Sequence, residues 1–205
     1  MVFRFSMNRT DSLRISLLRA GHGIRTASLA LLLFLAQSAF PAGADDEISE
    51  PLDYKMEDYR TPVPKTLEGA TVVTAQQART LWHEGKSVFI DVMPRPEKPA
   101  DLPNDTLWRD MVRETIPGAV WLPNVGYGRL PPEREEYFRR SLEELSGGNK
   151  SKPLVFFCQA NCWMSWNAAK RAREEYGFKN VIWFPQGTDG WGFPDAPLVK
   201  VDPRP

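Results

Sequence analysis

The last third of the chain has a strand–loop–helix–strand pattern, and this pattern limits the fold more than any other feature. The short apolar run Leu154-Val155-Phe156-Phe157 predicts a buried strand. A tight loop and a helix that ends at Gly177 follow, and residues 180–184 form a second apolar run. Strands that alternate with helices in this way build a parallel sheet covered by helices. The sequence therefore predicts a single α/β domain with a central parallel sheet.

Earlier segments supply the other elements of this domain. Capping residues, apolar runs and turn residues predict a helix from Thr74 that Gly85 ends, a strand over 87–92, a short strand over 119–122 and a helix over 131–145. Residues 93–115 are rich in proline, and we expect them to be irregular. An irregular stretch of this length within a domain is either functional or mobile.

The first 44 residues have the composition of a signal peptide. Five arginines precede an apolar run, and Ala42-Gly43-Ala44 matches the small-x-small pattern at which signal peptidase cleaves. The alternative is a membrane anchor, but the apolar run is shorter than the roughly 20 residues that span a bilayer. We expect residues 1–44 to be a signal peptide, 45–69 an extended and poorly ordered arm, and 70–205 the folded domain. The mature protein would then be periplasmic and free of the membrane.

The charge balance excludes some partners. The whole chain has 26 basic and 26 acidic side chains, but five arginines and one aspartate fall within residues 1–44, which leaves a net charge of −4 for the rest. Nucleic-acid binding requires a basic surface, and so does binding to an anionic membrane. We expect neither partner.

The two cysteines of the chain, Cys158 and Cys162, are the strongest candidates for chemistry. Cys158 directly follows a predicted strand, and in parallel sheets functional residues lie beyond the carboxyl ends of the strands. Backbone N–H groups at the start of the next helix lower the pKa of a thiol there. Redox or sulfur chemistry, a structural disulfide and metal binding all remain open. Together with Met164, the cysteines would be soft ligands for Cu(I). His83 is the only histidine after residue 44, so we do not expect a conventional zinc site.

Several other residues are candidates for substrate binding. Trp163 adjoins Cys162 and either forms a pocket wall that stacks on a flat ligand or packs in the core. Asp91 ends a strand on the same side of the sheet as Cys158, where it can bind a ligand or anchor a loop. Asp189 can orient a proton near the thiol or serve as an ordinary turn residue. Asn161 lies in the cysteine loop itself.

At this point the sequence resembles a known family. The chain is similar to rhodanese domains over residues 70–200, and the similarity implies a rhodanese-like fold in which the cysteine matching Cys158 carries a persulfide. The loop arginines and glycine of that family are replaced by Gln159, Asn161 and Trp163, so we expect ordinary thiosulfate sulfurtransferase activity to be very weak. Arg109 and Arg113 are candidates for the missing positive charge. The matching stretches are Phe89-Ile90-Asp91-Val92, Ile116-Pro117-Gly118-Ala119, the strand ending at Cys158, Ala168-Ala169 and Gly187 to Trp191.

A narrower resemblance is to the "CXXCW motif" proteins associated with alcohol catabolism that depends on pyrroloquinoline quinone (PQQ). This resemblance implies an accessory role near periplasmic PQQ-dependent enzymes, and a quinoprotein dehydrogenase or its electron-transfer partner as the protein partner. The expected link to a cofactor is association with PQQ-dependent enzymes, and no metal site is predicted. The stretches that carry it are Phe89 to Val92, Trp121 to Gly128, Cys158 through Arg171 and Gly187 to Trp191.

The expected function is thiol–disulfide or sulfur-relay chemistry, with Cys158 as the nucleophile and Cys162 as the resolving thiol. Its substrate would contact Asn161, Trp163, Asp91 and Asp189. The alternative is a non-catalytic module that binds a redox cofactor, Cu(I) or a partner protein, with the cysteines as a structural disulfide or as ligands. Whether the protein is an enzyme stays open at this stage.

Overall fold

The computed structural model describes residues 48–192 and 196–205. The expected signal peptide, residues 1–44, lies outside the described residues. In chain order the elements are β1 (Thr71–Val72), α1 (Ala75–Glu84), β2 (Val88–Asp91), β3 (Arg113–Thr115), β4 (Val120–Trp121), α2 (Pro132–Ser146), β5 (Leu154–Phe157), α3 (Trp163–Glu174), β6 (Val181–Trp183), α4 (Gly187–Trp191) and β7 (Val199–Val201).

A parallel sheet forms the centre of the domain, as the sequence predicts. Within the described residues it has five strands in the order β1-β6-β5-β2-β4, and each neighbouring pair is parallel. Strand β5 lies in the middle, between β6 and β2. Because parallel strands share one direction, the loops that follow β2 and β5 meet at the same edge of the sheet.

Helices cover both faces of the sheet. Successive side chains of β5 point to opposite faces, so Phe156 packs with Phe138 of α2 and Ala168 of α3. On the other face Phe157 packs with Ala78 of α1 and Trp191 of α4. Both faces of the central strands are therefore buried, which explains why β5 is a continuous apolar run rather than an alternating one.

The helix ends follow the local sequence signals. Thr74 caps α1 in a capping box with Gln77, and Gly85 ends this helix in the left-handed conformation. Pro132 begins α2, and Gly147 ends it in the same left-handed conformation. The expected caps agree with the structure, while α1 extends two residues beyond the expected end at Trp82 and α2 one residue beyond Leu145.

The proline-rich segment 93–115 is irregular over most of its length, but its end differs from the prediction. Residues 113–115 form β3, which pairs antiparallel with β7 near the end of the chain. This pairing joins residues that are more than 80 positions apart, so no local sequence pattern marks it.

The arm also differs from the expectation of a poorly ordered segment. Its described part, residues 48–69, has no regular secondary structure, but it lies along α3 and hydrogen-bonds to it. Asn167 accepts a hydrogen bond from the Lys55 backbone N–H at 3.0 Å and donates one to the Lys55 carbonyl at 2.8 Å. Trp166 donates to the Thr66 carbonyl, and Leu67 is buried in the core. Apolar and amide side chains of α3 thus give the arm a fixed position.

None of the helices in the described part of the chain is both long enough and apolar enough to cross a membrane.

Candidate functional site

The cysteine loop, residues 158–162, connects the end of β5 to the start of α3. The Cys158 carbonyl accepts hydrogen bonds from the Thr188 N–H at 3.0 Å, the Thr188 hydroxyl at 3.1 Å and Arg113 at 3.1 Å. Asn161 adopts the left-handed conformation, with φ of 51°, and turns the chain back toward the helix. Cys162 is the N-cap residue of α3. The loop is thus held from behind by residues of α4 and β3.

The two thiols are free and lie in contact with each other. Burial raises the pKa of the Cys158 thiol, and its hydrogen bond to Cys162 raises that pKa further. The same hydrogen bond lowers the pKa of Cys162 to about 7, aided by the Met164 backbone N–H and by Arg60, although partial burial opposes the shift. These directions favour a negative charge on Cys162 rather than on Cys158. The Cys158 Sγ–H also donates to the carbonyls of Gln159 at 3.6 Å and of Cys162 at 3.7 Å.

A cavity of about 800 Å³ opens beside Cys162. Cys162 lines this cavity although only 2% of its surface is exposed, whereas Cys158 does not line it and is fully buried. The sequence-based order of roles, with Cys158 as the first nucleophile, stays a prediction. The cavity lining favours the opposite order, because a ligand in the cavity meets Cys162 first. The lining residues come from the arm, the 93–115 segment and the cysteine loop; they are Asp58, Tyr59, Arg60, Thr61, Met93, Pro94, Pro96, Met111, Tyr127, Gln159, Cys162 and Met164.

Arg60 brings a positive charge to the cysteine loop, although the loop sequence itself contains no Lys or Arg. Its guanidinium donates a hydrogen bond to the Ala160 carbonyl at 3.0 Å and interacts with Cys162. Among the described residues that line the cavity, Arg60 is the only cation. The arm therefore completes the site, which the sequence analysis placed in the domain alone.

Arg113 and Asp91 lie behind the loop and do not line the cavity. Arg113 donates to the Asp91 carboxylate at 2.7 Å, and Thr115 donates to the same oxygen. Burial raises the pKa of Asp91 in spite of these partners. Through its bond to the Cys158 carbonyl, Arg113 ties the loop to β2. Asp91 thus anchors the loop, one of its two expected roles, and Arg113 does not face the thiols as a binding cation.

The other predicted site residues have structural contacts. Trp163 is 4% exposed, and its indole N–H donates to Thr61 and to the Pro62 carbonyl, so the arm covers it and it is not a pocket wall. Asp189 accepts a hydrogen bond from the Ala160 N–H at 3.1 Å and braces the loop. Asn161 is exposed at the turn, and Arg109 is exposed away from this cavity.

Three residues that line the cavity were not predicted from the sequence: Arg60, Met93 and Met111. Met93 directly follows β2, and this position at the carboxyl end of a strand could have indicated it. Arg60 and Met111 lie in segments without regular structure, where no periodicity predicts which side chains approach the site.

A comparison with protein families agrees with this architecture. The sequence model of the rhodanese-like domain family matches residues 74–192, and no curated protein matches the chain. A thiosulfate sulfurtransferase from Pseudomonas aeruginosa is 16% identical with a TM-score of 0.42, over 66% of this chain and 21% of that chain. An uncharacterized protein from Saccharomyces cerevisiae is 16% identical with a TM-score of 0.36, over 60% of this chain and 90% of that chain. The aligned region thus spans about a fifth of the Pseudomonas protein.

Proposed function

The chain belongs to the rhodanese-like domain family, and from this premise we propose that it carries out sulfur-relay or thiol–disulfide chemistry at Cys162 and Cys158. The observation that supports this function best is the arrangement of the two thiols. Cys162 borders the cavity and has its pKa lowered to about 7, while the Cys158 thiol contacts it from the buried side. A reactive thiolate with a second thiol within reach is what a two-step exchange requires.

The first step is attack by the Cys162 thiolate on a sulfur of the donor. With a disulfide R–S–S–R′, a bond forms between Cys162 and one donor sulfur, and R′S⁻ leaves. With a persulfide R–S–S⁻, the outer sulfur is transferred to Cys162 and RS⁻ leaves. Arg60 stabilises the negative charge near Cys162 in both cases, because its guanidinium interacts with that sulfur.

The second step uses Cys158. Cys158 loses its proton to the thiolate released in the first step, attacks the Cys162 sulfur of the mixed disulfide and releases RS⁻, which takes up a proton from water. The protein then holds a Cys158–Cys162 disulfide, and the donor has been reduced to two thiols. Burial and the hydrogen bond to Cys162 raise the pKa of Cys158, so this thiol stays protonated in the resting protein; reaction of Cys162 removes the second of these two causes. The proposed roles are the reverse of those expected from the sequence, with Cys162 as the entry thiol and Cys158 as the resolving thiol.

Thiosulfate is a poor donor in this scheme. It is a dianion, and the described cavity lining offers one cation, Arg60, beside the carboxylate of Asp58. Methionine, proline and tyrosine side chains form most of the remaining wall. We expect very weak cyanide:thiosulfate sulfurtransferase turnover, measured by thiocyanate formation. Turnover equal to that of an ordinary rhodanese would contradict this view of the cavity, and Arg60→Gln would then show whether this arginine captures the anion.

The cellular setting is also part of the proposal. The signal-peptide composition of residues 1–44 supports export to the periplasm. The resemblance to CXXCW motif proteins supports an accessory role in PQQ-dependent alcohol catabolism. A quinoprotein dehydrogenase or its electron-transfer partner would then be the protein with which the thiols exchange.

Trapping of a mixed disulfide tests the proposed function. Cys158→Ser lacks the resolving thiol, so its Cys162 should retain a covalently bound thiol after incubation with a small disulfide. Cys162→Ser is the matched control and should capture far less, because Cys158 is buried. Circular dichroism checks that both variants are folded, and intact mass gives the adduct. Capture by Cys162→Ser and not by Cys158→Ser would overturn the proposed order. A failure of both folded variants to react would overturn the thiol chemistry itself.

A further inference from the structure

The cavity beside Cys162 has an unusual concentration of sulfur atoms. Of the four methionines in the described residues, Met93, Met111 and Met164 line this cavity, and the fourth, Met56, does not. Cys162 adds a thiol to the same wall. The three methionines are far apart in the chain, so the fold, rather than a local run of sequence, brings them to one space.

Secondary structure, backbone hydrogen bonds or burial limit the position of each of the three methionines. Met164 is in the first turn of α3, two residues after Cys162, and is 1% exposed. Met93 follows β2, where its N–H donates to Asp91 at 2.9 Å and its carbonyl accepts from Trp121 at 2.7 Å. Met111 lies two residues before β3 and is half-buried. The three cavity-lining residues thus come from a helix, the end of one strand and the approach to another.

This set of donors suits a soft metal ion. Thiolate and thioether ligands select Cu(I), whereas carboxylates and imidazoles suit harder ions. Across the described residues, no three His, Cys, Asp or Glu side chains form a group that could hold a metal, so a site with three or more ligands here has to include thioethers. One thiolate with Cu(I) makes a neutral centre, which an apolar wall tolerates better than a net charge.

We propose that the Cys162 thiolate and the thioethers of Met93, Met111 and Met164 form a Cu(I)-binding site in this cavity. The metal enters by ligand exchange: Cu(I) replaces the proton of Cys162 and coordinates the neutral thioethers, with no change in oxidation state. This site does not depend on the sulfur relay. It shares only Cys162 with it, so that a bound metal and a sulfur adduct exclude each other at this thiol.

Competition for Cu(I) tests the site. The reduced, purified protein is titrated anaerobically with Cu(I) in the presence of a chromogenic Cu(I) chelator, and the affinity is read from loss of the coloured complex. Substitution of methionine by leucine removes the sulfur with little change in volume. Met93→Leu and Met111→Leu should each weaken Cu(I) binding by roughly tenfold or more, since even an outer partner of a metal site contributes this much. Met56→Leu is the control and should bind as the wild type does.

The remaining outcomes separate this proposal from the sulfur relay. Cys162→Ser should lose Cu(I) binding, whereas Met93→Leu and Met111→Leu should still trap mixed disulfides when combined with Cys158→Ser. Cu(I) binding that needs Cys162 but is unchanged in both Met→Leu variants would overturn the site, because the thiols alone would then hold the metal. Absence of Cu(I) binding by the folded, reduced wild type would also overturn it, and would leave the relay chemistry untouched.

Discussion

At the residue scale, the difference between two chemically identical thiols follows from their neighbours. Cys158 ends a buried strand and has no polar group that favours its ionised form strongly enough to offset burial. Cys162, four residues later, is the N-cap of α3 and faces Arg60 and the Met164 N–H. Helix N-termini and cations favour anions, so the negative charge of the pair resides on Cys162. The sequence predicts a helix N-terminus at this loop, as the structure shows, but the lowered thiol pKa was expected at Cys158.

The rate of thiol alkylation should follow these pKa values. Only a thiolate reacts with iodoacetamide, so Cys162 should be alkylated with a midpoint near its pKa of about 7, while Cys158 stays slow across the range from about pH 5 to 9. Arg60→Gln removes a positive charge that favours the thiolate, and the midpoint for Cys162 should therefore move to higher pH. Peptide mapping by mass spectrometry at each pH gives both rates.

Arg109→Gln is the matched control for this prediction. It removes an exposed arginine that does not line the cavity, so the pH profile of Cys162 should stay as in the wild type. A profile that moves equally in both variants would show that Arg60 acts only through net charge.

At the element scale, the site depends on the packing of three segments around the cysteine loop. The arm covers Trp163, and its Arg60 hydrogen-bonds to the cysteine loop. Strand β3 contributes Arg113, which hydrogen-bonds to the same loop from behind. Helix α4 approaches so closely that a Cβ at Gly187 would lie 2.6 Å from the Cys158 carbonyl oxygen. A backbone atom cannot move aside cheaply, so Gly187 sets the distance between α4 and the loop.

Gly187→Ala should therefore disturb the loop as well as destabilise the fold. Gly177→Ala is the matched control: both glycines have positive φ, 50° and 72°, but no atom of the described chain lies within 4 Å of a Cβ at Gly177. The control should lose about 1–2 kcal/mol of unfolding free energy from the left-handed conformation alone. Gly187→Ala should lose about 1–3 kcal/mol more because of the clash, and its Cys162 alkylation should change. Urea denaturation measures the free energy of unfolding. Equal losses in the two variants would show that the loop moves away from the added Cβ at no free-energy cost.

At the scale of the whole molecule, the parallel sheet and the helices could be predicted because their signals are local. The apolar run of β5 and the caps of α1 are each contained in a dozen residues or fewer. The pairing of β3 with β7 and the course of the arm could not be predicted, since both depend on contacts between distant parts of the chain. The candidate site is divided in the same way: its cysteines and Met164 were identified from the sequence, whereas Arg60, Met93 and Met111 were not.

Export is a property of the whole chain and can be tested directly. The Ala42-Gly43-Ala44 pattern predicts that the mature protein begins at Asp45 and is released with the periplasmic contents. Sequencing of the N-terminus of the protein from its native host checks this. Protein that retains residues 1–44 and sediments with membranes would instead indicate an uncleaved anchor.

The central claim is that sulfur enters at Cys162. The most direct measurement is peptide mapping by mass spectrometry after brief exposure of folded, reduced Cys158→Ser and Cys162→Ser proteins to a small organic persulfide. We expect Cys158→Ser to gain one sulfur on Cys162. Cys162→Ser should stay unmodified, because its only thiol, Cys158, is fully buried. Sulfur found on Cys158 of the Cys162→Ser protein, with none on Cys162 of the other variant, would contradict it.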